Sequence, residues 1–97
     1  MSKLETRPWE PVEHLKTEED MAAYLEAALE EDDPELILAV LGDIVRAKGL
    51  EDVANRSGLS SEELAHSILP SGKVDFVTVL KIVRALGLRL HAATAAR

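Results

Sequence analysis

The spacing of three residues in the middle of the chain limits its fold more than any other feature. Ala54 is followed four residues later by Gly58 and ten residues later by Leu64. A small side chain lets two helices approach closely, and a glycine accepts the positive φ of a tight turn. The spacing therefore predicts a helix-turn-helix, in which Val53 and Leu59 fill further apolar positions and Leu64 anchors the second helix on the core.

Capping residues and glycines divide the rest of the chain into helical stretches. Four polar residues typical of N-caps precede such stretches: Thr17, Asp33, Ser60 and Asp75. Three glycines follow a stretch and are predicted to end it: Gly49, Gly58 and Gly87. Apolar residues recur at helical spacing between these limits, from Met21 in the first stretch to Phe76 and Leu86 in the last. The pattern predicts an all-α, five-helix bundle of the Cro/repressor type around the helix-turn-helix.

A different periodicity follows Gly87. Residues 88–92 alternate between apolar and polar side chains, which is typical of a short C-terminal strand. A single strand has no partner within the chain, so we expect it to pair with the same strand of a second subunit. The predicted homodimer interface contains Leu86, Leu88, Leu90 and His91.

The net charge of −7 lies entirely in the first third of the chain. Residues 1–32 carry ten acidic and three basic residues, whereas residues 33–97 carry eight of each. A basic partner protein for this third is one interpretation, and a solvated acidic helix face is the other. We expect an extended or flexible acidic arm over residues 1–16, one helix-turn-helix domain over 17–92 and a frayed tail over 93–97.

Composition argues against several other classes of protein. The chain has no cysteine, which excludes disulfides and thiolate zinc sites. The longest apolar run has six residues and no secretory signal precedes it, so a cytoplasmic protein that does not contact membrane is expected. No nucleophile-elbow or phosphate-loop motif occurs, and His14 with Glu18 is too small a donor set for a metal site. We predict no catalytic residue, no metal and no cofactor, and hence no enzyme.

Beyond these patterns, the sequence resembles the addiction-module antidote proteins, which are helix-turn-helix antitoxins paired with toxins of the RelE/ParE superfamily. The resemblance covers roughly residues 12–92 and is carried by these segments: Leu15–Met21, Asp33–Leu36, Leu41–Gly49, Ala54 with Gly58–Ser60, Thr78–Lys81 and Ala85–Leu90. It implies a protein that binds and silences a cognate toxin and represses its own operon as a dimer.

The first third supplies the candidate toxin-binding residues. The expected apolar anchors are Trp9, Leu15 and Tyr24. The carboxylates expected to face toxin arginines are Glu18, Glu19 and Glu26. The partner implied is a small basic toxin, blocked by stoichiometric binding. A helix-turn-helix transcriptional regulator without a toxin is the alternative, and a helix-turn-helix that makes only protein contacts is a third.

The recognition region departs from the family pattern. The family usually has an arginine and a tyrosine where this chain has Ser61 and Ala65, and residues 50–73 carry four acids against two bases. Because phosphates repel carboxylates, this region weakens the expected binding of operator DNA. The candidate DNA-binding residues are Arg56, Ser60, Ser61, His66 and Lys73. Helix capping explains Ser60 better than a DNA contact does, and solvated surface is the alternative for the other four.

Overall fold

The structure is a computed structural model, and it describes residues 15–69 and 74–95. All regular secondary structure within these residues is helical. The five helices are α1 (Glu18–Glu30), α2 (Pro34–Lys48), α3 (Leu50–Ser57), α4 (Ser61–Ser67) and α5 (Phe76–Ala85). The predicted all-α class and the number of helices are therefore confirmed for this part of the chain.

All four predicted N-caps are confirmed. The Thr17 hydroxyl accepts a bond of 3.0 Å from the backbone N–H of Asp20, whose carboxylate accepts the Thr17 N–H at 3.1 Å. Ser60 and Glu63 form the same reciprocal box, with both bonds at 3.0 Å. At Asp75, hydrogen bonds from the Thr78 side chain and backbone lower the pKa of the capping carboxyl. Local sequence therefore fixes where most helices begin.

Two glycines close the ends of α2 and α3 in different ways. Gly58 has φ +82° and ψ 9°, the left-handed conformation, and its N–H donates to the Ala54 carbonyl. Gly49 has φ +109° and ψ 115°, so it ends α2 and starts α3 at once. Leu50 is therefore the first residue of α3, because the extended ψ of Gly49 leads directly into that helix.

The core is aliphatic and draws on every helix. α1 packs on α2, α2 on α3, and α3 on both α4 and α5. The largest completely buried side chains include Leu41, Ile44, Leu64 and Ile82. Ala54 is 3% exposed, which agrees with its predicted place at a close helix contact. These contacts fix α3 and α4 as neighbours joined by residues 58–60.

The structure differs from the sequence prediction at both ends of α5. Phe76 was expected on the apolar face but is 65% exposed, because it is the first residue of the helix and the buried face begins further along, with Ile82 and Val83. Residues 88–92 are irregular and form no strand. Strand hydrogen bonds need a second strand, and none occurs within the described residues, so pairing with another subunit stays a prediction.

Gly87 brings the ends of three helices together. It follows α5 with φ +82°, and a Cβ placed on it would lie 2.6 Å from Oε2 of Glu18 in the first turn of α1. The same Glu18 oxygen accepts a bond of 3.2 Å from Nζ of Lys48, the last residue of α2. The absence of a side chain at position 87 thus leaves room for an ion pair that ties α1 to α2.

Gly87→Ala is expected to lower the free energy of unfolding more than Gly58→Ala. Both replacements place a Cβ at positive φ, which costs roughly 1–2 kcal/mol. Only the residue-87 Cβ also meets another side chain, since nothing lies within 4 Å of the Cβ position at Gly58. Displacing Glu18 from Lys48 should add about 0.2–1 kcal/mol. Urea unfolding measures both variants.

Glu18→Ala provides the control for this comparison. In that background the carboxylate is gone, so Gly87→Ala and Gly58→Ala should cost similar amounts. An excess cost at Gly87 that persists without Glu18 would contradict the contact described here.

Candidate protein-binding and nucleic-acid interfaces

The predicted toxin-binding residues do not form one surface. Leu15 is only 6% exposed and packs in the core. Glu18 is paired with Lys48, and Tyr24 is half-buried. Glu19 and Glu26 are exposed on α1. Trp9 lies outside the described residues. Two of the five described candidates therefore remain as plain exposed carboxylates, while the other three take part in contacts within the chain.

Tyr24 has a structural partner on the neighbouring helix. Its hydroxyl donates a hydrogen bond of 2.8 Å to Oδ2 of Asp43 in α2. The other oxygen of Asp43 accepts a bond of 2.9 Å from Arg46 one turn later. Since one carboxylate joins both groups, Tyr24 contributes to the α1–α2 contact as well as to the surface.

A groove lies between the outer face of α1 and the irregular segment 88–95. It has a volume of about 800 Å³, and its lining includes Leu25 and Leu29 from α1 with Leu88 and Leu90 from the segment. Leu29 is 39% exposed, one of few large apolar side chains so placed in the described chain. The groove brings together residues that are about 60 positions apart, and sequence analysis did not identify it.

The charges on the two walls of the groove differ. Three carboxylates line the α1 side: Glu26, Glu30 and Asp32. Arg89 and His91 line the opposite side. The groove therefore combines an apolar floor with a wall of net negative charge, and it includes one candidate that sequence analysis did assign to partner binding, Glu26.

The predicted dimer residues are divided between the core and the lining of the groove. Leu86 is completely buried in the core of its own chain, so it has no surface left for a second subunit. Leu88 and Leu90 are half-buried and His91 is exposed, and all three line the groove. The alternation in sequence corresponds to alternating burial, since Leu88 and Leu90 pack against the core while Arg89 and His91 are exposed.

The candidate DNA-binding residues lie on α3 and α4. The Ser60 hydroxyl is used by the α4 capping box, and Ser61 beside it is half-buried. His66 is exposed in the last turn of α4. Arg56 pairs with Asp52 one turn earlier on α3, at 3.3 Å. Lys73 lies outside the described residues. The first turn of α4 carries two carboxylates, Glu62 and Glu63. The N-terminal end of this helix is therefore poor in the positive charge that contacts with phosphates need.

Cations from two helices converge at a place that sequence analysis did not consider. Arg56 of α3 and both Lys81 and Arg84 of α5 line an open depression with Ser57 and Gly87. Sequence positions alone give no sign of this convergence, because they do not show that α5 packs against α3. The depression is the place where basic side chains of α3 and α5 meet.

The described part of the chain contains neither a cluster of metal ligands nor a helix that could span a membrane. No group of three or more histidine or acidic side chains within residues 15–69 and 74–95 is placed to hold a metal ion. Over the same residues, no helix is long and apolar enough to cross a membrane. Exposed large apolar side chains do occur after α4, at Leu69, and at the start of α5, at Phe76 and Val77.

A family model and a curated relative each match most of the chain. A family model described as a probable addiction module antidote protein matches residues 5–94. A curated protein of Haemophilus influenzae, described as uncharacterized, is 39% identical over 85 residues, which are 88% of this chain and 88% of that protein. No solved structure matches the chain. The matched range includes all five helices and both walls of the groove.

Tyr24→Phe is expected to lower the free energy of unfolding by about 1 kcal/mol, because it removes the hydrogen bond to Asp43 and keeps the ring. Thermal or urea unfolding measures the loss. In an Asp43→Ala background most of that loss should disappear. A Tyr24→Phe variant of unchanged stability that no longer captured its protein partner would instead make the hydroxyl a partner contact.

Proposed function

This chain belongs to the family of probable addiction module antidote proteins, and we propose that it neutralises a small toxin protein of the RelE/ParE type by binding it stoichiometrically. The observation that carries the proposal is the family match over residues 5–94, nearly the whole chain. The concentration of negative charge in the first third supports a partner of positive charge.

The proposed mechanism is occlusion rather than chemistry. Toxins that act on RNA or the ribosome need a basic surface to contact phosphates, and an acidic protein that covers this surface removes the contact. Complementary charge also speeds association, since opposite fields steer two proteins together. Exposed carboxylates on α1, including Glu19 and Glu26, are the groups that would face toxin cations.

Co-expression with the neighbouring reading frame tests this function. Expression of that frame alone should arrest growth, and co-expression of this chain should restore growth and yield a complex of fixed stoichiometry. Size-exclusion chromatography with light scattering measures the complex. Growth arrest that persists despite soluble antidote, with no complex formed, would contradict the proposal.

Repression of its own operon is the second part of the proposed function. Its support is the arrangement of α3 and α4, two short helices joined by residues 58–60, with Ala54 and Leu64 at the buried positions expected of a helix-turn-helix. Ser61 and His66 at the surface of α4 are the side chains proposed to contact bases, and a homodimer would present two copies of α4 to an operator. A regulator without a toxin differs from this proposal only in lacking the neighbouring partner.

His66→Ala is expected to weaken binding to the chain's own upstream DNA by about 5- to 150-fold, the range for loss of one base contact. Gel shifts at low and moderate salt measure the effect, and Glu35→Ala on α2 is the matched exposed control. Binding that ignores sequence and disappears at moderate salt would reflect non-specific attraction and would contradict operator recognition.

A further inference from the structure

We propose that the groove between α1 and residues 88–95 receives a basic, amphipathic segment of the toxin. This inference rests on the proposed antidote function and names the surface through which it operates. The occupant would lay an apolar side on the groove floor and direct lysine or arginine side chains toward α1.

The floor of the groove offers an apolar surface suited to such a segment. Leu29 keeps 39% of its surface exposed, although it is a large aliphatic residue on a helix that buries its neighbours Leu25 and Ala28. Leu88 and Leu90 line the opposite wall and are half-buried. Burial of Leu29 by a partner would remove apolar surface from water, which is the main favourable term in association.

The dimensions of the groove agree with a short helix or strand of a partner. Ala22 and Leu29 are exposed two turns apart along one side of α1, with the buried Leu25 between them, and all three line the groove. At a rise of about 1.5 Å per residue this apolar stripe is roughly 10 Å long. It therefore accommodates two or three anchor side chains, as in helix-in-groove recognition.

Charge selects the partner. The α1 wall carries Glu26, Glu30 and Asp32, while the opposite wall carries Arg89 and His91. Carboxylates on one wall favour an occupant whose cations point toward α1. A nucleic acid would meet these carboxylates with its phosphates and be repelled.

A second copy of the chain fits the groove less well. In a symmetric dimer the same surface of each subunit forms the interface. Two grooves facing each other would bring together two linings that each carry three carboxylates against one arginine and one histidine, and this shared negative charge opposes association. The groove is therefore assigned to a basic partner, and the proposed homodimer would then use a surface other than the groove lining that Leu88, Leu90 and His91 help to form.

The experiment uses the full-length chain and the purified protein from the neighbouring reading frame. The charge variant is Glu26→Lys with Glu30→Lys, and the apolar variant is Leu29→Ser. Glu35→Lys, an exposed charge reversal at the start of α2 and outside the groove lining, is the matched control. Circular dichroism and urea unfolding establish that each variant keeps the wild-type fold, and calorimetry measures affinity for the toxin.

We expect the two groove variants each to weaken toxin binding by about tenfold or more, and the control to change it less than twofold. The loss in the charge variant should shrink as salt is raised, because screening weakens the wild-type attraction. Reversal of toxin lysines or arginines to glutamate should restore binding to the charge variant.

The results that would overturn the groove assignment differ from the result that would overturn the antidote function. If wild-type chain binds the toxin and both groove variants bind equally well, the groove assignment is overturned and the antidote function stands. If the wild-type chain itself does not bind the toxin, the proposed function fails, and the groove assignment fails with it. If Leu29→Ser converts a dimer of the chain alone into a monomer without changing toxin affinity, the groove is a contact between copies and the assignment is wrong.

Discussion

Helices α3 and α4 have eight and seven residues, and isolated helices shorter than about 12–15 residues are marginal in water. Their persistence therefore depends on burial. Val53, Ala54 and Leu64 are each at most 3% exposed, and they join these helices to each other and to the rest of the core. Ala54 is small enough for close approach, and Gly58 at φ +82° lets the chain turn between the helices. The presentation of α4 is thus a consequence of packing rather than of helix propensity.

Contacts within the chain also determine which charges in the acidic third are available to a partner. Asp20 caps its own helix and Glu18 pairs with Lys48, so both help to hold the chain together. Glu26 and Glu30 point into the groove on the outer side of α1. A net charge counted along the sequence does not separate these two classes. The structure separates them because α2 and residue 87 cover one side of α1 and residues 88–95 border the other.

The sequence was sufficient wherever the determinant was local. Capping at Thr17 and Ser60 depends on side chains three residues apart, and the turn at Gly58 depends on one residue. Burial at the edges of the helices depends on what lies across the fold, which is why Phe76 was wrongly placed on the apolar face. The groove could not be predicted for the same reason, because Leu29 and Leu90 are distant in sequence and come together only in the fold. Arg56 and Lys81 are also distant in sequence, and they line one depression because α3 packs on α5.

Partner binding and DNA binding are proposed for different parts of the fold, and two routes connect them. The groove is built from α1 and the segment that follows α5, whereas the proposed recognition surface is built from α3 and α4. α5 packs directly on α3, and Gly87, which follows α5, precedes Leu88, the first residue of the second wall of the groove. α1 is also connected to α3 through α2, because α1 packs on α2 and α2 packs on α3. An influence of a bound toxin on DNA affinity that is carried through the fold would therefore reach α3 by α2 or by α5, and a change in the number of subunits would act separately.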